Sequence, residues 1–280
     1  MQVIVIIPVY KQQPDKFERV GLQQCAKVLK DYPIALVCPQ GFDASAYVHI
    51  LGSRLQLYFF SPLYFRNLRG YNRLMTSKKF YQAFADYEYI LIHHTDAYVF
   101  RDELLYWCSQ GYDYIGAPIY EYDGSIRPQK YIGVGNGGLS LHRVSAAVKV
   151  LSSWKIVYSL NDLWAWYSKY NWKGRLRYLG YFLTRFFTYG RWAHSGFNHL
   201  RINEDVFWGV YVSKAFDWFK IAPFDIAYKF SMEYNCEKLF VLNHYQLPFG
   251  CHKWYKGEFL AFWKDKIINH CGLYPNNINS

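Results

Sequence analysis

No two cysteines form a C-x-x-C pair, no apolar run approaches the roughly 18 residues of a membrane span, and nothing is low-complexity or repeated at a fixed period. The six cysteines (Cys25, Cys38, Cys108, Cys236, Cys251 and Cys271) are scattered, so the expectation is a reducing cytoplasm and buried, inert thiols. The opening "MQVIVIIPVY" is only strand-length and closes on Pro8, with no cleavage site, which reads as a strand rather than a leader. Disorder and solenoid architecture are likewise disfavoured. Basic runs, a GxxxxGK[ST] phosphate loop and a GxGxxG turn are all missing.

What is present is a chain of 280 residues, 52% hydrophobic, enough for one large α/β domain or two small ones closely packed. Its 28 Tyr, 21 Phe and 10 Trp are mostly core, although such rings also suit sugars and bases. A formal charge of +11 attracts nucleic acid, anionic lipid and phosphorylated small molecules alike. The cations are dispersed, which argues against nucleic acid as the partner.

Val3–Ile7 is a β-branched run, the pattern of a parallel strand buried on both faces. "DKFERVGLQQCAKVLKDY" has helical spacing, and "PIALVCPQ" and "LQLYFF" read as strands. "GYNRLMTSKKFYQAFADY" predicts one helix, Tyr89–His93 a fourth strand, and "RDELLYWCSQG" a short helix stopped at Gly111. "YDYIGAP" predicts a strand; "VGNGGLSLHRVSAAVKVL" a glycine turn, a strand at Leu139–Leu141 and a helix. The βα alternation predicts an open, mostly parallel α/β sheet flanked by helices. On a helical wheel, Lys173–Trp192 gathers Leu176, Leu179, Phe182, Leu183, Phe186 and Phe187 on one side. Lys173, Arg177, Thr184, Arg185, Thr188 and Arg191 fall on the other, with Arg175 out of place. Such a helix either packs on the sheet or lies on an anionic membrane surface. The last third reads as short strands and turns.

In open α/β sheets ligands bind beyond the carboxyl ends of the strands. Pro8, Val9 and Tyr10, His94–Asp96, and Gly135–Gly138 fall at such ends. Asp96 closes a buried strand, so it must be solvated, cap the "RDELLYWC" helix, pair with a cation such as Arg101, or bind a metal or ribose. In "VGNGG", glycine admits close approach of a ligand and Asn136 tolerates a left-handed turn; a plain hairpin fits equally. In "INEDVFWG", Glu204 and Asp205 point apart and would take different roles, one as a proton acceptor, or they simply open a helix. His252 in "LPFGCHKW" reads alone as structural, but beside Asp96 it would complete an Asp/His metal site.

Taken in order, "VIIPVYK", "YNRLM", "YILIHHTDAYVFRDELLYWC", "GYDYIGAP", "VGNGGLSL", "NEDVFWG", "FSMEYN" and "LPFGCHKW" resemble a bacterial family of glycosyltransferase-like proteins known as a domain of unknown function. The resemblance spans nearly the whole chain except residues 154–200, and extends to GT-A glycosyltransferases of the β-1,3-galactosyltransferase and Fringe type. It implies that Pro8, Val9 and Tyr10 hold the base and ribose of a nucleotide-sugar donor, that Asn72 and Arg73 reach the nucleotide, and that Asn136, Gly137 and Gly138 line the donor-sugar pocket. Asp96 matches the DxD region, Asp205 the catalytic base, Glu204 its neighbour at the acceptor, and His252 the late metal- or diphosphate-binding histidine. The chain departs from DxD in either frame: Asp96-Ala97-Tyr98 lacks the second acid, and His94-Thr95-Asp96 puts histidine in the first place. Mn²⁺ or Mg²⁺ held by Asp96 and His252 is one expectation; a site without metal, its diphosphate neutralised by Arg73 or other cations, is the other.

The resulting expectation is a single GT-A-like (Rossmann-like) domain over 1–280, with a donor half at 1–150, an aromatic-basic helical insertion at 151–200 and an acceptor half at 201–280. It would move a sugar from a nucleotide-diphosphate donor to a hydroxyl of a glycan or lipid-linked glycan, with inversion, in bacterial surface-glycan synthesis. The alternatives are a retaining transferase on the same fold and a non-catalytic nucleotide- or sugar-binding module. The expected location is cytoplasmic, with peripheral attachment to the inner face of the membrane.

Overall fold

A computed structural model describes residues 2–121, 130–187, 191–198 and 202–271. Strands β1 (Val3–Pro8), β2 (Ile34–Pro39), β3 (Gln56–Phe60) and β4 (Tyr89–His93) pair in parallel, with β1 between β2 and β4. β5 (Ala97–Val99) leaves this sheet; β6 (Tyr114–Ile115) stays in it; β7 (Ala117–Glu121) and β8 (Lys130–Gly135) form a separate ribbon. β9 (Leu139–Arg143) runs antiparallel between β4 and β6, giving the order β3-β2-β1-β4-β9-β6. β10 (Ser231–Met232) and β11 (Gly250–His252) join β5 in a three-stranded sheet. The main sheet is therefore mostly parallel, as expected, and the chain reverses its direction of winding at β1, between β2 and β4.

The β-branched run of β1 buries both faces, and alternate residues supply two cores. Ile4 and Ile6 join Val37, Ile90 and Ile92 on one side; Val3, Val5 and Ile7 join Leu36 and Leu91 on the other. Helix α1 (Lys16–Val28) covers the second face and starts with a capping box: Asp15 accepts from the Phe17 and Glu18 amides, and Glu18 accepts from the Asp15 amide at 2.8 Å. All five cysteines within the described side chains are free and buried.

The structure corrects several local expectations. A short helix α2 (Ser45–Leu51) precedes β3, where none was expected. The predicted helix from Gly70 to Tyr87 is two, α3 (Leu68–Met75) and α4 (Lys78–Gln82), because Ser77 caps the second through the Phe80 amide. After α5 (Leu104–Ser109) the chain turns at Gly111, whose φ is +74°. "YDYIGAP" splits between two sheets at Gly116, where a Cβ would lie 1.6 Å from the Gly135 carbonyl oxygen.

α6 (Val144–Leu151) follows β9, and α7 (Leu160–Ser168) and α8 (Trp172–Phe187) form the helical insertion. α8 ends before Arg191 and Trp192, and Trp192 bridges to Ile156 instead; Thr188 lies outside the described residues. In the last third, "FSMEYN" and "LPFGCHKW" carry the short strands β10 and β11 as expected, but "NEDVFWG" and the remaining segments are helical. α9 (Glu204–Val206) continues through a π-helical stretch, Phe207–Val212, into α10 (Ser213–Ala215), followed by α11 (Phe224–Phe230), α12 (Cys236–Leu242) and α13 (Phe259–Cys271). Short apolar runs such as Val206-Phe207-Trp208 fit a strand and a buried helix equally well, so sequence alone could not separate them. The π turns coincide with Gly209, whose missing Cβ lets the helix meet the Val134 carbonyl; a Cβ there would lie 1.4 Å from that oxygen.

Candidate active site

The carboxyl ends of β1 and β4 open into a cleft of about 520 Å³. Pro8, Val9 and Tyr10 line one part of it, and His94, Thr95 and Asp96, Asn136–Gly138, Glu204, Asp205 and His252 line the rest. Residues scattered over 244 positions of sequence thus meet at one edge of the sheet.

Strand register explains how His252 reaches Asp96. β11 runs antiparallel to β5 with His252 opposite Ala97, so the imidazole arrives beside the preceding residue. Its Nε2 donates to Asp96 Oδ1 at 3.0 Å, and Asp96 Oδ2 accepts from Lys256. β10 runs parallel to β11 with Met232 opposite Cys251, which brings the next residue, Glu233, within 3.5 Å of His252 Nδ1. Lys253 donates to Glu233 in turn. Two buried carboxylates and three cations form one network.

The network shifts each member's charge in a consistent direction. Burial pushes Asp96 up, but the His252 imidazolium and the Lys256 ammonium outweigh it and hold the carboxyl well below the usual range. Burial is likewise overcome at Glu233, which His252 and Lys253 lower to about 2. Burial pushes His252 down, yet Asp96 and Glu233 raise it to about 9, so the ring carries a proton at neutral pH. Arg101, the other candidate partner of Asp96, bonds Glu103 and the Leu247 and Pro248 carbonyls instead.

Glu204 and Asp205 open α9, so the helix-start reading and the site reading describe the same place. Asp205 is half-buried; its Oδ2 accepts from the Asn136 amide at 3.2 Å and its Oδ1 from the Val206 amide at 2.8 Å. Asn136 adopts the left-handed conformation, φ 71°, and its Oδ1 accepts from the Gly138 amide, so the turn aims its own N–H at Asp205. Glu204 is buried against Gly137, where a Cβ would lie 1.7 Å from Oε1. Burial and the neighbouring Asp205 raise Glu204 to about 8; burial and Glu233 raise Asp205 as well.

A raised carboxyl value has a definite sign for stability. The folded chain holds the Glu204 proton up to about pH 8 against an ordinary 4.5, so the folded state binds more protons across that window and stability falls as pH rises through it. Glu204→Gln removes this dependence. Its melting temperature is expected to exceed that of the parent by about 3–6 °C at pH 8.5, with little difference at pH 5. Parallel melting curves at both pH values would refute the assignment.

Two expected site residues are placed elsewhere. Asn72 is buried and does not line the cleft; its Nδ2 donates to Asn203 Oδ1 at 3.4 Å, and Asn203 does line it. Arg73, one position along α3, is exposed and is not among the residues that line the cleft. Arg66, Lys11, Lys253 and Lys256 supply the cleft's positive charge instead. Sequence reading also passed over Glu18, which accepts from Lys11 at 3.0 Å and from Thr95 at 2.7 Å, and Glu233 within the quoted "FSMEYN".

Among the described residues, His94, Asp96 and His252 form one group suited to a metal, their ligand atoms all within 4.8 Å of one another. His94 and Asp96 of the His94-Thr95-Asp96 frame both belong to this group, whereas Tyr98 of the other frame is buried in β5 and bonds His270. Burial and the nearby His252 charge lower His94 to about 3, leaving it neutral, and its Nε2 shares a 2.6 Å hydrogen bond with the Tyr71 hydroxyl. Two imidazoles and one carboxylate fit Mn²⁺ better than Mg²⁺, which prefers an all-oxygen shell. Binding would require His252 to release its proton and Lys256 to leave Asp96.

A family profile described as "Protein of unknown function (DUF5672)" matches residues 54–252. The chain belongs to the DUF5672 family. No curated protein matches it. Among solved structures, a galactosyltransferase LgtC in complex with donor and acceptor sugar analogues aligns over 96% of this chain and 95% of its own, at 11% identity and a TM-score of 0.52. An active-site mutant of LgtC aligns over the same shares at 13% identity and a TM-score of 0.51. Apo glycosyltransferase GlyE of Streptococcus pneumoniae TIGR4 aligns over 99% of this chain and 62% of its own, at 10% identity and a TM-score of 0.44. The LgtC similarity, spanning both chains almost end to end, shows that this DUF5672 member has the GT-A glycosyltransferase fold.

Proposed function

We propose that this DUF5672 protein is a hexosyltransferase-type enzyme that moves a sugar from a nucleotide-diphosphate donor to an acceptor hydroxyl. One observation carries the reading: at the switch point of the sheet, the cations His252, Lys253 and Lys256 share a cleft with the adjacent acids Glu204 and Asp205. Fixed positive charge suits a leaving diphosphate, and a half-open carboxylate suits an acceptor proton.

In this reading Pro8, Val9 and the exposed Tyr10 hold the base and ribose, and Asn72 acts at one remove by orienting Asn203. The donor sugar lies along Asn136, Gly137 and Gly138. Asp205 takes the acceptor proton in a single displacement with inversion. Glu204, neutral at pH 7, donates a hydrogen bond to the acceptor. His94, Asp96 and His252 would hold Mn²⁺, which when bound adds charge against the diphosphate. Residues 1–150 carry the donor side and 201–280 the acids, although His252, Lys253 and Lys256 return to the donor side. We assign the acceptor to a glycan or lipid-linked glycan of the bacterial surface, made on the cytoplasmic side.

A thermal-shift screen of nucleotide sugars, with and without Mn²⁺, tests the class. One donor at about a hundredfold excess over its Kd is expected to raise the melting temperature by about 5 °C or more. A screen with no stabilising nucleotide sugar in either condition would overturn the reading. Stabilisation without hydrolysis or transfer to any glycan would make the protein a binding module.

A further inference from the structure

The helical insertion carries a surface that the cleft does not use. α8 contributes no fully buried side chain. It rests on α7 through one face: Phe182 stacks on Tyr167 at 4.4 Å between ring centroids, and Tyr181 meets Trp166 at 5.2 Å. Phe182, which the helical wheel grouped with the leucines, is thus turned inward, and Arg185 lies over the Tyr181 ring on the same side. The opposite side is apolar and open. Trp172, Leu176, Leu179, Leu183, Phe186 and Phe187 are 40–73% exposed, and at 100° per residue they fall within an arc of about 100°. Ring contacts from Phe187 to Phe186, Phe182 and the exposed Trp164 of α7 make the surface continuous. Isolated exposed leucines need no explanation, but a contiguous stripe of this size does.

We propose that this stripe lies in the interface of an anionic lipid bilayer, apolar side chains inserted and the helix axis along the surface. Charge decides the occupant. Lys173 and Arg177 are exposed along one edge of the stripe, Arg175 on the other edge donates to the Ser168 and Tyr170 carbonyls, and α8 contains no acidic residue. Long cationic side chains beside an apolar stripe reach headgroup phosphates while their stems cover hydrocarbon. A second copy of the same helix would instead bring cation to cation with no carboxylate to meet it. Among the described residues no helix is long and apolar enough to cross a membrane, so α8 lies on the surface rather than spanning it. The proposal does not depend on the transferase reading.

Co-sedimentation with phosphatidylcholine vesicles, with and without about one-third phosphatidylglycerol, tests it. The parent is expected to bind the anionic vesicles and not the zwitterionic ones. Leu179→Glu/Leu183→Glu and Lys173→Gln/Arg177→Gln are each expected to weaken binding about tenfold or more. Both variants leave the face against α7 untouched, and melting curves confirm that they fold. Binding unchanged in both double variants would overturn the proposal. So would a parent that ignores anionic vesicles but forms a dimer dissociated by Leu179→Glu/Leu183→Glu, which would make the stripe an interface between copies.

Discussion

Asp205→Asn is expected to lower the rate of sugar transfer by about 10²- to 10⁴-fold while leaving donor affinity within a few-fold. The two carboxylates at the start of α9 differ in what surrounds them. Glu204 is buried, and burial with the neighbouring Asp205 raises it to about 8, so at neutral pH it carries a proton in most molecules and is the poorer base. Asp205 is more open; burial and Glu233 raise its carboxyl, and the amides of Asn136 and Val206, which fix it in place, act in the opposite direction. Asparagine keeps the shape and one of the two acceptors but has no lone pair basic enough for a hydroxyl proton. The cation network lies on other residues, so donor binding survives.

Three measurements separate a base from a mere spacer at Asp205. A base must be ionised, so the parent rate rises with pH through the Asp205 value, and the variant loses that limb. Glu204→Gln, which keeps a hydrogen-bond donor at the position, should retain activity within about tenfold. The product's anomeric configuration, read by NMR, should be inverted. Undiminished transfer by Asp205→Asn would sink the assignment, and retained configuration would confine Asp205 to holding the acceptor.

Much of the parallel sheet was legible because its signals are local. Val3–Ile7 and Tyr89–His93 are strand-length apolar runs, the first rich in β-branched residues, set between helical patterns in a βα alternation, and each leads into polar residues at the ligand edge. In the last third the strands in "FSMEYN" and "LPFGCHKW" were legible but most of the helices were not, since the aromatic runs around Val206–Trp208 have no period long enough to read. Within the site, Asp96, His252 and the "VGNGG" turn could be named from sequence, but not the reason they meet. That depends on the pairing of β11 with β5, 150 residues away. That pairing also brings in Lys253 and Lys256, and the pairing of β10 with β11 brings in Glu233; none of the three carries a motif of its own. Arg73 illustrates the converse: Tyr71 lines the cleft, and the about 200° turn over two residues of α3 leaves Arg73 exposed and outside that lining.

The glycines of "VGNGG" give the second large effect. Gly138 has an ordinary backbone, so alanine is not strained there; the obstacle is space. A Cβ at Gly138 would lie 2.1 Å from His252 Nε2 and 2.3 Å from the adjoining ring carbons, far inside van der Waals contact. His252 cannot move aside cheaply, because it is buried, hydrogen-bonded to Asp96 at 3.0 Å and packed against the His94 ring at 5.4 Å. Gly138→Ala is therefore expected to fold with a melting temperature about 3–10 °C lower and to lose Mn²⁺ and donor binding by tenfold or more. Gly138→Ala/His252→Ala should recover much of the stability, since the clash is gone, but none of the binding. That pattern distinguishes a glycine kept to admit His252 from one kept for the turn itself, where the second substitution would rescue nothing. Gly180→Ala on α8, where a Cβ meets nothing within 4 Å, is the control and should raise or leave the melting temperature unchanged. Donor binding by Gly138→Ala at the parent affinity would show that the diphosphate does not depend on His252.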